Sequence, residues 1–415
     1  MRRDLVLIIA GAMALIVLTV GRLRDWRPIS PGNLASGEFV VTSPRDAGPG
    51  SLREAIFAAD RKRGAARIVL RTPRVELRTP LPPLVNASGI ELDGQDSGCE
   101  IEAGKIGLEP VLDVDAPDSE IIAVGIRNAG GTGIRVRERR TLLKGVRIRN
   151  STTGVEAATG SEGLRIEKSD FSANDTGVRI SHESASAVLV SSRFQGHGRA
   201  AVWAVSPDPA GGTGRSNLML RDNVFTNDRI SVVLINMPGD LVNNRILGAK
   251  EISIYLMGGT GMVRGNRIQS GGGVGVFADE AQGIVIEGNE VDRNRFVGMI
   301  LRGGRNSLVR GNRIYLNGYG IATVFGESGH PHLVSENLIL SQAYDGLYVV
   351  GGSPILRNNR VLKSKAAGVR ILDFVSRRHA PITAHPLLSG NELEQNLLNE
   401  PVRGTYEEPV ANDRR

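Results

Sequence analysis

Eight regularly spaced copies of one short pattern lie in the second half of this 415-residue chain: an Asn, any residue, then Ile, Val, Leu or Phe. The eight positions are Asn223, Asn244, Asn266, Asn289, Asn312, Asn337, Asn359 and Asn391, and successive spacings are 21, 22, 23, 23, 25, 22 and 32 residues. A period in this range, without helical apolar spacing, is typical of a solenoid built from strands. Because one period is too short to bury its own apolar side, successive coils must stack.

Each period contains two short strand signals. The first precedes and includes the Asn, as in residues 284–291, and the second opens with a Gly eight or nine residues later, as in Gly298-Met299. Strands this short, divided by Gly and Asn turns, fit a coil with two or three sheets. The amide of an Asn at one turn can stack on the Asn of the next coil and satisfy buried backbone groups. We therefore interpret the repeated Asn as structural.

Weaker repeats extend the pattern toward the N-terminus. Ile148, Phe171 and Phe194 are 23 residues apart, and Ile126 lies 22 residues before Ile148. The period is longer between Phe194 and the first repeated Asn, where the Pro- and Gly-rich stretch 206–214 predicts an inserted loop. The repeats thus predict one elongated all-β domain of about a dozen coils over residues 67–396, rather than the two or three domains that length alone suggests.

The segment before the repeats contains a helix signal. Ser51 and Glu54 form a capping box, which predicts a helix that reaches about Ala59. The run G-P-G-S-L-R-x-A-I that includes this box, followed by the I-x-L-D-G strand at 90–94, resembles the entry to the right-handed parallel β-helix (pectin-lyase-like) superfamily. The resemblance implies an N-terminal cap over residues 39–66, followed by a right-handed parallel β-helix.

The resemblance is informative for fold and much less so for activity. The superfamily holds pectin and alginate lyases, glycosidases, epimerases, phage tailspikes and non-catalytic surface proteins. This chain has no D-P-H-D of the alginate epimerases, no N-T-D with later R-I-K of the polygalacturonases and no W-I-D-H of the pectate lyases. Whether the chain is an enzyme stays open; if it is one, the resemblance implies a polysaccharide lyase, epimerase or glycosidase.

The N-terminus carries a membrane signal. Residues 5–20 contain no charge and are flanked by arginines, which predicts an uncleaved signal-anchor within residues 1–24, with a cleaved signal peptide as the alternative. The balanced arginine flanks do not choose an orientation. Because the resembled superfamily is mostly exported, we expect a single-pass inner-membrane protein with its β-helix in the periplasm, or a secreted one after cleavage. A linker is predicted over 25–38 and an irregular tail over 397–415.

Charge and composition limit the partners. The formal net charge of +7 would suit nucleic acid, anionic lipid or an acidic polysaccharide. Only 4% of residues are aromatic and no DNA- or RNA-binding motif is present, so a nucleic-acid partner is not expected. The single Cys99 excludes an internal disulfide, and without a zinc-type Cys/His cluster no metal or cofactor is predicted.

Strand alternation assigns inward and outward positions along the stack. Ile268, Val291 and Ile314 are predicted to form one inward column. In the first strand signal, outward positions alternate between arginine and glutamate from coil to coil, which predicts a ladder of ion pairs. The positions are Arg264 and Arg267, then Glu287 and Glu290, then Arg310 and Arg313.

The second strand signal supplies the candidate catalytic residues. Tyr255, Asp279 and Arg302 are predicted to share one outward column on three consecutive coils. Glu280 follows Asp279, and His330 lies with His332 on a longer coil below, where both histidines are expected at the surface. A carboxylate, a phenol and a guanidinium this close could remove the C5 proton of an acidic sugar while the cation neutralises its carboxylate. The alternative is a structural Asp–Arg pair beside a tyrosine.

The candidate substrate-binding residues are two aromatic side chains and two arginines. Phe277 and Tyr348 lie at outward positions and could stack on sugar rings, and Arg357 and Arg360 have no acidic residue on the coil above them. Outward positions of the second strand are too apolar for a face that meets only water. We therefore predict binding or modification of an acidic polysaccharide, in exopolysaccharide export or modification. The alternative is a non-catalytic scaffold that docks a protein, such as an export-complex component, through this face.

Overall fold

The structure is a computed structural model that describes residues 37–407, apart from 96–97, 105, 181–185, 207–216, 328 and 376–379. The predicted signal-anchor, nearly all of the linker, the body of the inserted loop and residues 408–415 lie outside the described part. Within it, the predicted fold is confirmed: a right-handed parallel β-helix of about 12 coils with one helix near the N-terminus. No helix among the described residues is long and apolar enough to cross a membrane.

Three parallel sheets form the sides of the β-helix, and a complete coil gives one strand to each. In the described residues the first sheet has 15 strands: Glu38–Val41, Ala66–Leu70, Ile90–Asp93, Glu120–Ile122, Leu142–Lys144, Leu164–Glu167, Ser186–Val190, Asn217–Arg221, Gly239–Val242, Gly261–Arg264, Val285–Glu287, Leu308–Arg310, Leu333–Ser335, Ile355–Arg357 and Leu387–Ser389. The second sheet has 14 in the same part of the chain: Arg74–Glu76, Cys99–Glu102, Val124–Arg127, Arg147–Arg149, Asp170–Ser172, Arg193–Gln195, Val224–Thr226, Arg245–Leu247, Arg267–Gln269, Glu290–Asp292, Arg313–Tyr315, Leu338–Leu340, Arg360–Leu362 and Glu392–Glu394. The third sheet has 13 there: Leu112–Val114, Thr132–Val136, Thr153–Ala157, Thr176–Ile180, Ala200–Val205, Ile230–Ile235, Ile252–Met257, Val274–Asp279, Val297–Arg302, Tyr319–Val324, Leu347–Val350, Val369–Val375 and Val402–Glu407.

The repeated Asn lies at the corner between the first and second sheets, so the first strand signal is in fact two strands. Asn289 accepts hydrogen bonds at its Oδ1 from the backbone N (2.9 Å) and Nδ2 (3.0 Å) of Asn266. Its own backbone N and Nδ2 donate to Oδ1 of Asn312, both at 2.9 Å. The same pattern continues from Asn223 to Asn391, with Ser169 and Ser192 in the equivalent place upstream. The structural interpretation of the repeated Asn is confirmed.

A second polar ladder lies at the corner between the second and third sheets. The backbone N of Asn294 donates to Oδ1 of Asn317, and that of Asn317 donates to Oε1 of Gln342, both at 2.9 Å. Each of these residues follows a repeated Asn by five positions, a spacing that the sequence carries and that our interpretation missed. Farther up, the same corner holds His197 and Asp228, fully buried, with His197 Nδ1 2.7 Å from Asp228 Oδ1.

Inward side chains fill the interior as predicted. Ile268, Val291 and Ile314 are fully buried and stand level with one another on successive strands. Phe171 and Phe194 stack with ring centroids 5.0 Å apart. Each aliphatic or aromatic side chain buried in this way contributes about 1.5–3 kcal/mol relative to an exposed one.

The helix spans Leu52–Arg61, two residues beyond the predicted end. Its N-cap Ser51 accepts from the backbone N of Glu54, as the capping box predicts. The Glu54 carboxylate instead accepts from the backbone N of Gly50, at 2.6 Å, because Ser51 N already donates to a carbonyl in the preceding turn. The apolar face of the helix, with Leu52 and Ile56 fully buried, joins the main core at the first coils.

The predicted irregular tail is wrong for residues 402–407. Val402–Glu407 forms the last strand of the third sheet and pairs in parallel with Val369–Val375. This strand is almost wholly exposed, so it lacks the apolar alternation by which the inner strands could be predicted. The coils therefore continue past Asn396.

Candidate functional site

The outer face of the third sheet changes character along the stack. The central outward positions, level from coil to coil, are Asp113, Arg135, Glu156, Arg179, Trp203, Val233, Tyr255, Phe277, Ile300, Ala322, Tyr348 and Arg370. The first four and the last are charged, and the seven from Trp203 to Tyr348 are apolar or aromatic; we call these seven the apolar column. Its six steps between coils cover about 29 Å.

The positions on both sides of the apolar column are apolar as well. On one side lie the half-buried Ile230, Ile252, Val274 and Val297. On the other lie Ile235, Met257 and Val324, of which Met257 is 37% exposed. We call the apolar column and these flanking positions the third-sheet face. Val233 and Ala322 are buried, so the accessible apolar surface comes from the other members of the face. An exposed apolar patch of this kind marks a binding or docking region more often than a surface in contact with water alone.

Asp279 is the centre of a first cluster on this face. It is only 3% exposed, and Arg302 Nε donates to its Oδ1 at 2.7 Å, while a terminal nitrogen of Arg302 contacts Oδ2. The Tyr255 hydroxyl donates to Oδ2 at 2.9 Å. The three predicted side chains thus converge, although the single column predicted for them is wrong. Tyr255 is level with Phe277, and its long side chain reaches Asp279 across an offset of two residues.

Aromatic contacts complete this cluster, which we define as Tyr255, Phe277, Asp279 and Arg302. The rings of Tyr255 and Phe277 are in edge contact with centroids 5.4 Å apart, and the Arg302 guanidinium carbon lies 5.1 Å from the Phe277 centroid. Burial, followed by the hydrogen bond to Asp279, raises the pKa of Tyr255 to about 12. The hydrogen bond with Asp279 also raises the pKa of Arg302. At neutral pH Tyr255 is therefore a donor and Arg302 is a cation.

This geometry suits binding more directly than proton abstraction. A general base needs an oxygen within reach of the substrate proton. Both oxygens of Asp279 already accept hydrogen bonds from Arg302 or Tyr255, and the carboxylate is nearly buried. A role as base would require Arg302 to move away first. The catalytic roles of Tyr255, Asp279 and Arg302 stay predictions.

Glu280 and His330 lie apart from the Asp279 carboxylate. Glu280 is exposed, and its carboxylate accepts from the backbone N of Gly304 at the corner after the third sheet, at 3.2 Å. His330 is exposed on its loop. Among the described residues, no hydrogen bond or ion pair joins either side chain to Asp279. Their predicted catalytic role also stays a prediction.

His332 was expected at the surface and is instead only 2% exposed. Its Nε2 lies 2.8 Å from the Gly303 carbonyl oxygen, and its Nδ1 accepts from the backbone N of Ser307 at 3.3 Å. These contacts fix a neutral ring with the proton on Nε2, and burial lowers the pKa of His332. The ring lies at the corner before the first-sheet strand Leu333–Ser335 and accepts from a backbone N of the preceding coil, as the Asn side chains do at the other two corners. His332 is therefore structural, although it follows a loop.

A second cluster, missed at the sequence level apart from Tyr348, lies lower on the third sheet. We define it as Tyr319, Tyr344, Asp345, Tyr348 and Arg370. The Tyr319 ring lies 5.0 Å from that of Tyr344 and 5.1 Å from that of Tyr348, between centroids. Asp345 is 3% exposed and accepts from Arg370 Nε at 2.7 Å. The Tyr-Asp-Gly run before the strand was the available sequence signal.

The two clusters repeat one arrangement. Each has a nearly buried aspartate, an arginine from the following coil and aromatic rings beside them. Asp279 and Asp345 are three coils apart, about 14 Å along the stack. Because each guanidinium is paired with a carboxylate, the clusters offer polar hydrogen-bonding groups beside aromatic rings with little net charge.

Arg357 and Arg360 are exposed but lie on the first and second sheets, away from the third-sheet face. The coil above Arg360 carries Leu338 at the level position, as predicted, but Arg360 Nε donates at 2.7 Å to Oε2 of Glu392 on the coil below. Arg360 therefore has an acidic partner that the prediction did not consider. The predicted ion ladder is present in part, with Arg310 in contact with Glu287.

The described residues contain no group of three or more His, Cys, Asp and Glu side chains placed to hold a metal ion. Cys99 is buried, and burial raises the pKa of its thiol to about 11, which keeps it protonated.

A family model for the right-handed β-helix region matches residues 111–263 and 252–378, and the chain belongs to this family. No curated protein is significantly similar to it in sequence. Among solved structures, a surface adhesin of Streptococcus pneumoniae is 12% identical with a TM-score of 0.50, over 69% of this chain and 86% of that one. The catalytic unit of a GH87 alpha-1,3-glucanase from Streptomyces thermodiastaticus strain HF3-3 is 13% identical with a TM-score of 0.49, over 86% and 69%. A periplasmic alginate epimerase is 12% identical with a TM-score of 0.40, over 93% and 96%. At these identities the likeness concerns the fold alone.

Proposed function

We propose that this protein binds a polysaccharide along the third-sheet face. The observation that supports this most directly is the change from charged to aromatic and apolar residues over the apolar column, with polar clusters at Asp279 and Asp345. Aromatic rings present flat apolar surfaces against which sugar rings stack, and the adjoining hydroxyl and guanidinium groups can bond to sugar hydroxyls. About 29 Å of column accommodates several sugar units in a row.

The paired charges affect which polysaccharide the face would take. Arg302 and Arg370 each have a buried aspartate as partner, so neither offers an uncommitted cation to a uronate. We infer that stacking and neutral hydrogen bonds contribute more to binding than charge does. The acidic polysaccharide predicted from the sequence would then be attracted mainly by the net charge of +7, and salt would screen that attraction. Binding that persists at high salt favours a neutral chain, and binding that disappears favours an acidic one.

The test is to remove two rings of the face together. The double variant Phe277→Ala and Tyr348→Ala should bind roughly 5- to 150-fold more weakly, because aromatic contacts of this kind contribute roughly 0.5–1.5 kcal/mol each and about 1.4 kcal/mol changes an affinity tenfold. Affinity electrophoresis through gels that contain neutral or acidic polysaccharides measures this directly. Phe57→Ala is the matched control, since Phe57 is 46% exposed on the N-terminal helix. Unchanged migration of the double variant in every gel that retards the wild type would contradict the proposal.

A protein-docking scaffold is the second candidate, and the flanking column of Ile230, Ile252, Val274 and Val297 favours it. Aliphatic side chains pack against proteins and provide no stacking surface for a sugar. Ile252→Lys should abolish docking of an export-complex protein on this face and leave polysaccharide binding through the aromatic rings measurable. Retained glycan binding with loss of a co-purifying protein would support the scaffold, and loss of glycan binding alone would support the first proposal.

We also propose that residues 1–24 anchor the protein in the inner membrane with the β-helix in the periplasm, where it would act in export or modification of the polysaccharide. This proposal is supported by the uncharged stretch 5–20. A reporter fused after Arg415 should be active only outside the cytoplasm, and deletion of the residues before Asp25 should release the protein from membranes. A reporter active in the cytoplasm would contradict the assignment.

A further inference from the structure

The two ends of the β-helix differ. At the N-terminal end, the helix Leu52–Arg61 buries its apolar face against the first coils. At the C-terminal end, Leu387–Ser389, Glu392–Glu394 and Val402–Glu407 are each the last strand of their sheet among the described residues. A strand in that position presents a row of unpaired N–H and C=O groups that can pair with another chain.

Apolar side chains of the interior reach the surface at this end. Leu388 is level with the buried Leu356 on the preceding coil, yet it is 38% exposed. Leu393 is level with the fully buried Val361 and is only partly buried. A cavity of about 360 Å³ lies at this end, lined by Leu388, Leu393 and Val369 together with polar residues such as Asn399 and Glu400. Terminal repeats of a solenoid normally present a polar outer face, whereas here the exposed Leu387 and Leu388 lie among charged residues.

The Asn ladder is also open at this end. Each earlier member, such as Asn359, donates its backbone N–H to Oδ1 of the next Asn. In Asn391, Nδ2 donates to the Leu356 carbonyl oxygen at 2.8 Å, but the backbone N–H has no partner among the described residues. The second ladder, by contrast, ends on Asn399, whose Oδ1 accepts from the backbone N of Asn396. The open N–H of Asn391 therefore faces the direction from which another coil would come.

We propose that two copies of this chain associate through their C-terminal ends, related by a two-fold axis perpendicular to the stack. Val402–Glu407 is self-complementary for this contact. Paired antiparallel with its own copy about Thr405, it places Arg403 opposite the partner's Glu407, and Glu407 opposite the partner's Arg403. Both side chains are exposed and alternate onto the same side of the strand.

The same axis brings the exposed apolar residues together. Viewed along the stack, the three last strands form the sides of a triangle. A two-fold axis through the middle of the Val402–Glu407 side exchanges the positions of the other two strands. Leu387–Ser389 then lies over the partner's Glu392–Glu394, with Leu388 against the partner's Leu393. Because the helix occupies the N-terminal end, association stops at two copies and forms no filament.

A cysteine at the axis gives the sharpest test, with full-length protein purified in detergent. In Thr405→Cys, the introduced thiols of the two copies lie opposite each other, and mild oxidation should produce a disulfide-linked dimer on a non-reducing gel. Tyr406→Cys is the matched control on the same strand, because its opposite residue is the partner's Gly404 and neither residue of the proposed ion pair is changed. Cys99 is buried and does not compete. Equal cross-linking of the two variants would overturn the proposed register.

Charge reversal tests the same pairing without a covalent cross-link. Sedimentation velocity should give a two-chain mass for the wild type, a one-chain mass for Arg403→Glu and a two-chain mass again when Arg403→Glu is combined with Glu407→Arg. These side chains are exposed, so the fold of each chain should not change. A one-chain mass for the wild type at high concentration would overturn the proposal. A dimer that forms only after deletion of residues 408–415 would overturn it too, since those residues would then cover the end themselves.

Discussion

Arg302 holds both carboxylate oxygens of Asp279 from the following coil, with Nε donating to Oδ1 at 2.7 Å and a terminal nitrogen in contact with Oδ2. Strand alternation alone predicts a surface carboxylate at this position. The structure instead shows an aspartate that is 3% exposed beneath a half-exposed arginine and a tyrosine hydroxyl. Removing the Asp279 charge is therefore expected to cost more stability than removing one partner of a surface ion pair.

Asp279→Asn should lower the free energy of unfolding by about 1–3 kcal/mol, because a nearly buried charged acceptor is replaced by a neutral amide beside the same donors. Urea denaturation followed by circular dichroism measures the change. Asp118→Asn is the matched control: Asp118 also accepts two bonds from one arginine, Arg140, but that pair is exposed and should contribute about 1 kcal/mol or less. Equal losses in the two variants would show that burial of Asp279 contributes nothing.

His332 should make the protein sensitive to mild acid. Burial lowers its pKa in the folded state, whereas the unfolded chain protonates near the ordinary value of about 6.5. Below that pH the unfolded state binds a proton that the native state excludes, so the free energy of unfolding falls as the pH falls, and the full contribution is present above it. Denaturant midpoints measured between about pH 7 and pH 5 should decline less steeply in His332→Gln than in the wild type.

The control for this effect lies two residues away. His330 is exposed on the same loop, so His330→Gln should keep the wild-type slope of stability against pH. If both glutamine variants have the wild-type slope, the acid sensitivity arises elsewhere and the buried ring does not titrate as the structure implies.

The Asn ladder predicts a graded loss of stability at one position. Asn289→Ala removes an acceptor for Asn266 and donors to Val263 and Asn312, which leaves buried backbone groups without partners and should cost about 3 kcal/mol. Asn289→Ser should cost less, since serine fills the equivalent place in upstream coils through its hydroxyl. Thermal unfolding of the two variants gives the order, and a serine variant as unstable as the alanine one would contradict it.

The sequence predicted the coils because their determinants are local and repeated. Inward apolar residues and the corner Asn recur with almost every coil, so Ile268 and Asn289 could be placed without knowing any distance. Which outward residues lie level on successive coils depends on how many residues each corner contains. Tyr255 and Phe277 are level, and so are Met257 and Asp279; both pairs are 22 residues apart, like Asn244 and Asn266, so the sequence carried this spacing and our assignment of Tyr255 to the column of Asp279 missed it.

The second cluster and the last strand escaped prediction for a different reason. Asp345 lies in the corner before its strand, where the polar residue changes from coil to coil, and only its distance to Arg370 reveals its role. Val402–Glu407 pairs through its backbone, and its exposed side chains carry no apolar alternation. Features that depend on contact between coils, rather than on the pattern within one coil, need the structure.

Two adjacent residues on one strand test the assignment of inside and outside. Ile314 is fully buried, so Ile314→Asp places a charge without a partner in the core and should cost several kcal/mol. Because each coil is coupled to its neighbours, several coils should unfold together. Arg313 is exposed and forms no ion pair with any described residue, so Arg313→Ala should change stability by about 0.5 kcal/mol or less. Thermal melts measure the change in stability, and limited proteolysis shows how many coils unfold together. Equal melting temperatures for the two variants would mean that Ile314 does not face the interior, so the assignment of inner and outer surfaces of the second sheet would be wrong.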